Sequence, residues 1–551
     1  MNDPKSLESH VGIKHTLLSL FPPFILALIF FPLFAGLYFN YRLVEFAEPV
    51  ITLSFITILI ILRYLSGKNI FYFLAAILSF INGFILLSHW IMLKGPMTSN
   101  SLYVALNTNY DEAVGFLHLK SGYEFLLIIP YIILFLLALI YTFNYPRKQD
   151  KKHTYILIAT VLLILVFLST RVYEGGFRYG TPELVRSSIL FYKDATAFKK
   201  LKSERQKRSA EIDAKLIAPN NPAVVVLIEG ESTNRNHMSL YGYYRDTSPL
   251  LKQAEDIIVY TDVVSGYHST MTSITGALTE SNLENKRKSY ECFNIMDVCR
   301  ASGVKSYWLS NQSPIGFLDN IITILAQQSD KQEFLNLTSG LSLSKNEKPS
   351  YDSVLFSALE KTLREEGDQK FIVLHLLGSH GRYIHRYPSE YKRFSGSTKK
   401  EKVIAQYDNS VLYNDFVVDS ILKILRTYAE VSNTPTAAIY LSDHGENVYD
   451  DADYAGHDYS VILYPSIVEI PYVVWLSEEY QNTYPDKSAV IRSHRDMPYI
   501  TDDNFHSLID LLNIETSVLD AKRSVFNENY NDKRRRVMAD GREYPPHSRE
   551  E

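Results

Sequence analysis

The sequence predicts a bundle of five transmembrane helices followed by a doubly wound α/β domain. Three observations carry this prediction. The first third of the 551-residue chain holds five long apolar segments. From about residue 218 onward, short β-branched runs alternate with longer helical stretches, the pattern of an open α/β sheet. Several of those runs end in carboxylates, imidazoles or hydroxyls, and such sheets place their sites at the carboxyl ends of strands.

A chain of this length exceeds one ordinary domain. We expect a five-span transmembrane domain over residues 1–171, an interfacial helix and linker over 172–217, a soluble domain over 218–545 and a tail over 546–551. A net charge of only −5 does not point to nucleic acid as a partner. Two cysteines are too few for a zinc–cysteine site or a disulfide framework.

The apolar segments cover residues 17–39, 50–64, 70–93, 125–143 and 155–169. Most approach the ~20 residues that cross a bilayer. The second is short and ends near Arg63, whose side chain can snorkel to the interface. The first is too long for a cleavable signal peptide, and further spans follow it. Short-loop positive charge lies at the amino terminus (Lys5, Lys14), around Arg63 and Lys68, and at Arg147, Lys148, Lys151 and Lys152. That odd–even pattern puts those loops in the cytoplasm and everything after about Arg171 outside it. The loop 94–124 then lies on the outer side, and its stretch 102–113 can form an amphipathic segment on the bilayer or a simple cover.

Thr181-Pro182-Glu183 reads as a helix start, with a Thr cap and Pro at the first helical position. The basic run Lys199, Lys200, Lys202, Arg205, Lys207 and Arg208 is either a solvated linker or an attractor of anionic lipid heads.

In the soluble part the run 223–228 ends in Glu229-Gly230-Glu231-Ser232. The run 257–264 leads to Ser265-Gly266-Tyr267-His268-Ser269-Thr270, hydroxyls that would meet the amino end of the next helix, where a phosphate can sit. Residues 305–309 end in Ser310-Asn311-Gln312, and 371–377 in Gly378-Ser379-His380-Gly381. Residues 437–441 end in Ser442-Asp443-His444-Gly445-Glu446, with His457 in the loop before the run 472–475. One edge thus collects Glu231, Thr270, His380, Asp443, His444 and His457. His375, inside an apolar run, reads as a hydrogen-bonded core histidine. Oxygen and imidazole donors without thiolates are the chemistry of zinc. Zinc lowers the pKa of bound water from about 15.7 to about 7, and a coordinated Thr hydroxyl would be activated likewise. The natural outcome is phosphoryl transfer through a phospho-threonine intermediate.

These motifs resemble the membrane-bound phosphoethanolamine transferases of Gram-negative bacteria, within the alkaline phosphatase and sulfatase superfamily. The matching stretches are Gly230-Glu231-Ser232, Ser239-Leu240-Tyr241-Gly242-Tyr243, His375–Gly381, Arg386-Tyr387-Pro388, Tyr407-Asp408-Asn409-Ser410, Ser442–Glu446 and Gly456-His457. The resemblance implies an alkaline-phosphatase/sulfatase-like catalytic domain in the periplasm of a multi-pass inner-membrane protein. It implies one zinc on Glu231, Thr270, Asp443 and His444, with Thr270 as nucleophile. It implies that His380 and His457, with His375 close by, hold a second metal or the phosphoryl group. Phosphatidylethanolamine would be the donor, and a lipopolysaccharide or periplasmic glycan the acceptor. Asn107, Thr108 and Glu112 match the segment near the donor lipid.

Two departures bear on the acceptor. The family's proline after His-Gly is Arg382 here, and the cysteines typical of the lipid A-modifying branch are missing around Thr270. The first alters the acceptor side, and the second tilts the resemblance toward the branches that modify lipopolysaccharide core or glucans. Ser269 is a neighbouring hydroxyl, but Thr270 aligns better. The rival readings are a hydrolase of the same superfamily (a phosphodiesterase or sulfatase), a phosphoglycerol transferase, and a non-catalytic lipid-binding signalling protein. No cysteine stands in the C/S-x-P-x-R context that formylglycine sulfatases need.

On one continuous helix Cys292 and Cys299 would stand ~10 Å apart along the axis, too far to bridge. If Asn294 caps the helix, Cys292 precedes it and can fold back to pair. The Arg- and Glu-rich stretch from residue 532 reads as a surface tail.

Overall fold

The computed structural model describes residues 23–38, 47–93, 123–143, 208–218, 223–312, 321–336, 350–367, 369–457 and 463–544. The chain divides into two compact units.

In the first unit the described helices are α1 (Pro23–Tyr38), α2 (Ala47–Ser66), α3 (Ile70–Leu93) and α4 (Ile128–Phe143). They share a core that includes Ile25, Leu28, Ile60, Ala75, Ala76, Leu87 and Tyr131. Tyr131 donates its hydroxyl to the carbonyls of Leu28 and Ser79, so a polar group inside an apolar bundle is satisfied by backbone. Its ring lies so close to Gly83 that an added Cβ would meet the hydroxyl. Among the described residues, the spans Ile70–Ser88 and Phe125–Phe143 are long and apolar enough to cross a membrane, and Pro23–Leu37 is a shorter apolar helix. The expected segment 155–169, the outer loop with Asn107, Thr108 and Glu112, and most of the linker lie outside the described residues.

The second unit is built on a seven-stranded sheet. Its strands are β1 (Ala223–Gly230), β2 (Ile257–Val259), β3 (Lys305–Ser310), β4 (Lys331–Phe334), β5 (Gln369–His375), β6 (Thr436–Ser442) and β7 (Tyr472–Leu476), in the spatial order β2-β7-β6-β1-β5-β3-β4. β1 is parallel to β5 and β6, and β3 is parallel to β5 and β4, while β7 runs antiparallel to both its neighbours. Every residue of β1, β6 and β7 is buried, which explains their unbroken apolar runs. The edge strand β4, Lys-Gln-Glu-Phe, is mostly exposed, and its charges protect an open edge. It went unpredicted because Phe334 is its single apolar residue.

Further helices of this unit are α5 (Thr270–Ala277), α6 (Ile295–Ser302), α7 (Val354–Leu363) and α8 (Lys399–Ser432). α8 is closed at its start by a capping box between Thr398 and Glu401, and ends at Asn433 in the left-handed conformation. Its buried Tyr407, Val411, Val417, Ile421 and Leu425 join Val224, Val226, Ile228, Ile372 and Leu374 of the sheet in one core.

Asn294 does cap α6, in a capping box with Asp297. Cys292 and Cys299 are nevertheless both free and buried. The Cys292 backbone stays extended, and its carbonyl accepts from Arg208 instead of turning back toward the helix. A short strand at Ala214–Leu216 pairs with Ile514–Thr516, so the α/β body takes in the chain from at least Arg208. The surface-tail expectation fails as far as Tyr544. Arg536 is buried against Asp262, and Arg534 pairs with Asp502 and Asp503. Charges that look solvated in sequence are here matched by buried carboxylates.

Candidate metal centre

The register of the three central strands makes the site. Glu229 of β1 stands opposite His375 of β5 and Leu441 of β6, and Gly230 stands opposite Ser442. Glu231 and Asp443 therefore leave neighbouring strands at the same level. Oxygen and nitrogen atoms of Glu231, Asp443 and His444 all fall within 4.8 Å of one another, and all three residues are buried. Thr270, the first residue of α5, places Oγ1 3.3 and 3.2 Å from the two Glu231 oxygens and 3.4 Å from His444 Nε2. The adjacent Ser269 hydroxyl pairs instead with Thr272.

Each donor is held by its own scaffold. Asp443 Oδ1 accepts from the backbone nitrogens of Ser232 (3.1 Å) and His444 (2.7 Å), while its buried Oδ2 has no hydrogen bond and lies 3.3 Å from His444 Nε2. His444 Nδ1 is 2.8 Å from the Gly445 carbonyl, so it carries the proton as donor and Nε2 is the ligating atom. Glu231 receives Ser232 Oγ at 2.8 Å and Gln312 Nε2 at 3.1 Å. Ser232 itself is in the left-handed region (φ 54), a conformation that L side chains rarely adopt.

The electrostatics ask for a cation. Burial, and then the Glu231 charge, push the Asp443 carboxyl up to about 7. Burial alone would depress His444, but Asp443 and Glu231 outweigh it and carry the imidazole up to about 10. Two buried carboxylates thus recruit a proton onto the imidazole, and a metal would displace it. An orphaned carboxylate oxygen, a second carboxylate, an imidazole lone pair and a hydroxyl suit zinc.

The other predicted histidines cluster beside this group. The His457 ring centre lies 4.3 Å from that of His444 and 6.0 Å from that of His380. Nδ1 of His457 is 2.7 Å from Glu446 Oε2. Thr270, His380 and His457 are half-buried, so the accessible groups face the buried ones. His375 sits a row deeper, its Nδ1 3.3 Å from Ser310 Oγ and its ring edge-on to Trp308. Burial depresses it to about 4.

Sequence reasoning passed over three groups here. Gln312 stands at the end of β3 and ties Glu231 to the Leu376 carbonyl. His268, two residues before Thr270, is buried, and that burial, with His457 and His444 adding to it, drives its pKa well down. Glu229 is fully buried, with both carboxylate oxygens unbonded. Burial, then Asp443 and Glu231, raises its pKa well above the carboxylate range. Each lies within two residues of a strand end or of Thr270, the one signal that pointed to it.

The loop carrying His380 is fastened from both sides. Asp352 accepts from the backbone nitrogens of Leu377 and Gly378, and Arg386 donates to the carbonyls of His380 and Gly381. Arg382, in the family's proline position, has φ 61, which a proline ring cannot adopt. Gly378 (φ 51) packs so tightly that a Cβ would come 2.5 Å from the Glu231 carbonyl oxygen. Gly378→Ala should therefore cost about 2–4 kcal/mol and lower metal retention, read by urea unfolding and zinc stoichiometry.

Fold and site together define an α/β protein with a buried metal centre facing an accessible threonine. A sulfatase family model matches residues 223–514, and the chain belongs to that family. Curated relatives that it matches include phosphoethanolamine transferases. The phosphoethanolamine transferase EptC of Escherichia coli is 30% identical over 335 residues, which cover 56% of this chain and 54% of that protein. The chain thus spans about half the length of the curated relatives it matches first. The crystal structure of the C-terminal periplasmic domain of E. coli EptC in complex with Zn is 29% identical, covering 62% of this chain and 94% of that one, with a TM-score of 0.54. The integral membrane lipooligosaccharide phosphoethanolamine transferase A (EptA) of Neisseria meningitidis shares the fold over 91% of this chain and 98% of that one. Its TM-score is 0.61 at 19% identity.

Proposed function

We propose that this protein transfers phosphoethanolamine from phosphatidylethanolamine to a lipopolysaccharide or periplasmic glycan acceptor, with Thr270 as the nucleophile. The observation that carries the reading is the Thr270 hydroxyl at the start of α5, against Glu231 and His444. The names of the relatives and the zinc in the EptC domain support it.

Glu231, Thr270, Asp443 and His444 would hold zinc, which when bound lowers the pKa of the threonine hydroxyl. Thr270 Oγ, its hydroxyl proton having passed to solvent, forms a bond to the donor phosphorus, and the bond from phosphorus to the glycerol oxygen breaks. His457, oriented by Glu446, gives that oxygen a proton, and diacylglycerol leaves. The acceptor oxygen then loses its proton to His457 and attacks the same phosphorus, and Thr270 Oγ departs. His380 and His375 belong to the phosphoryl or second-metal side, and Asn107, Thr108 and Glu112 to the donor-lipid side. The absence of cysteine near Thr270 favours a core or glucan acceptor over lipid A.

The same reading places five spans over residues 1–171 in the bacterial inner membrane, a linker from residue 172 that passes into the catalytic domain by Arg208, the catalytic domain onward to residue 545 in the periplasm, and a tail over 546–551. Purified full-length protein supplied with phosphatidylethanolamine and lipopolysaccharide should yield diacylglycerol and an acceptor heavier by one phosphoethanolamine, read by mass spectrometry. Headgroup released only to water, with no acceptor product under any condition, would overturn the transferase reading.

A further inference from the structure

His237 is 2% exposed, yet it stands between two carboxylates from two other elements. Its Nδ1 is 2.7 Å from Oδ1 of Asp408 on α8, and its Nε2 is 3.0 Å from Oδ1 of Asp450. A neutral imidazole has a single N–H, so hydrogen bonds to both ionised carboxylates need the imidazolium. The other groups around it are polar as well. Arg245 donates to the second Asp408 oxygen at 2.6 Å and the Tyr243 hydroxyl does so at 3.2 Å. The rings of Tyr243 and Tyr407 pack on the imidazole at 4.7 and 5.1 Å. Burial works against the charge, but the two carboxylates outweigh it and hold the proton up to about 9.

Asp450 lies in a hairpin whose strands, Asn447–Val448 and Ala455–Gly456, pair antiparallel. Glu446 immediately precedes this hairpin, His457 immediately follows it, and the two are bonded at its root. The tip is held by Asp450, whose other oxygen accepts from the Val448 nitrogen. His237 is itself anchored beside the metal group. Asn234 donates to the Glu446 carbonyl, and the Thr233 nitrogen to Ser442 Oγ.

We propose that His237 is a positioning residue, a doubly paired imidazolium that staples the tip of the 447–456 hairpin to α8 and so fixes where His457 stands beside His444. The inference rests on the reading of His457 as a site residue.

The test uses the full-length chain at pH 7, with hydrogen-exchange protection factors and transfer kinetics read in parallel. In His237→Gln the amides of 447–456 should lose about tenfold in protection while those of β1 and β6 keep theirs. Transfer kcat should fall about 10–100-fold, with KM for the donor lipid within about twofold. A pH series gives the sign. The folded pKa is raised, so the staple is complete below about 6.5 and is lost as pH rises through about 9. Asp450→Asn keeps an acceptor but removes a charge, and should move the alkaline loss of hairpin protection to lower pH by about one unit. Hairpin protection unchanged in His237→Gln, protection lost equally in β1 and β6, or an alkaline transition unmoved by Asp450→Asn would each overturn the staple. A wild-type chain without transfer activity would sink the functional reading instead, and the exchange data would still decide the staple.

Discussion

Thr270→Ala should lower transfer at least ~10³-fold while keeping most of the zinc, held through the three remaining donors Glu231, Asp443 and His444. The first part follows from removing the nucleophile, since no covalent intermediate can form without the Thr270 hydroxyl. The second follows from the geometry. Glu231, Asp443 and His444 are positioned by β1, β6 and the backbone donors of Ser232 and His444, none of which depends on the threonine. The neighbouring Ser269 hydroxyl is engaged with Thr272 and should not substitute. Thr270→Ser keeps a hydroxyl at the same place and should retain measurable transfer. Mass spectrometry of the acceptor together with metal analysis of the same preparation separates the two effects. Full activity in Thr270→Ala would end the case for a threonine nucleophile.

Asp443→Ala should abolish both zinc retention and transfer. Here the loss is of the metal, because the change removes the buried, unbonded Oδ2 that faces His444 Nε2. It also strands the Ser232 and His444 amides that Oδ1 accepts from, at about 1–3 kcal/mol each. Asp443→Asn isolates the two consequences, since an amide oxygen can still accept from both nitrogens while the charge is gone. That variant should fold nearly as well as the parent and still fail to hold zinc. The helices α1–α4 have their own core and should keep their helical content in both variants. Metal uptake in the parent should weaken as pH falls, first because a metal must displace the proton that Asp443 and Glu231 hold on His444 up to about 10, and further below about 7, where burial and Glu231 keep the Asp443 proton on. Zinc and activity surviving in Asp443→Asn would remove this residue from the centre.

Much of the fold was legible because central parallel strands are buried on both faces and must be apolar along their length. The runs at 223–228, 305–309 and 437–441 are strands for that reason. β4 was hidden because an exposed edge strand carries charge, and the Arg534–Arg536 segment was misread because sequence shows a charge without its partner. The disulfide question turned on the path of the chain just before α6, which residue types do not encode.

The candidate site divides along the same line. Residue type and strand-end position picked out Glu231, Thr270, His380, Asp443, His444 and His457 as one edge, and the family resemblance singled out Glu231, Thr270, Asp443 and His444 among them as the zinc set. Only the tertiary structure decided that they meet. Meeting depends on the pairing of Gly230 with Ser442 and on where α5 begins, and both are set by contacts between residues far apart in the chain. The same holds for Gln312 on Glu231 and for His237 between Asp408 and Asp450. Periodicity and composition are local properties that a sequence displays directly. Register, burial of a charge and the identity of its partner are non-local, and packing alone determines them.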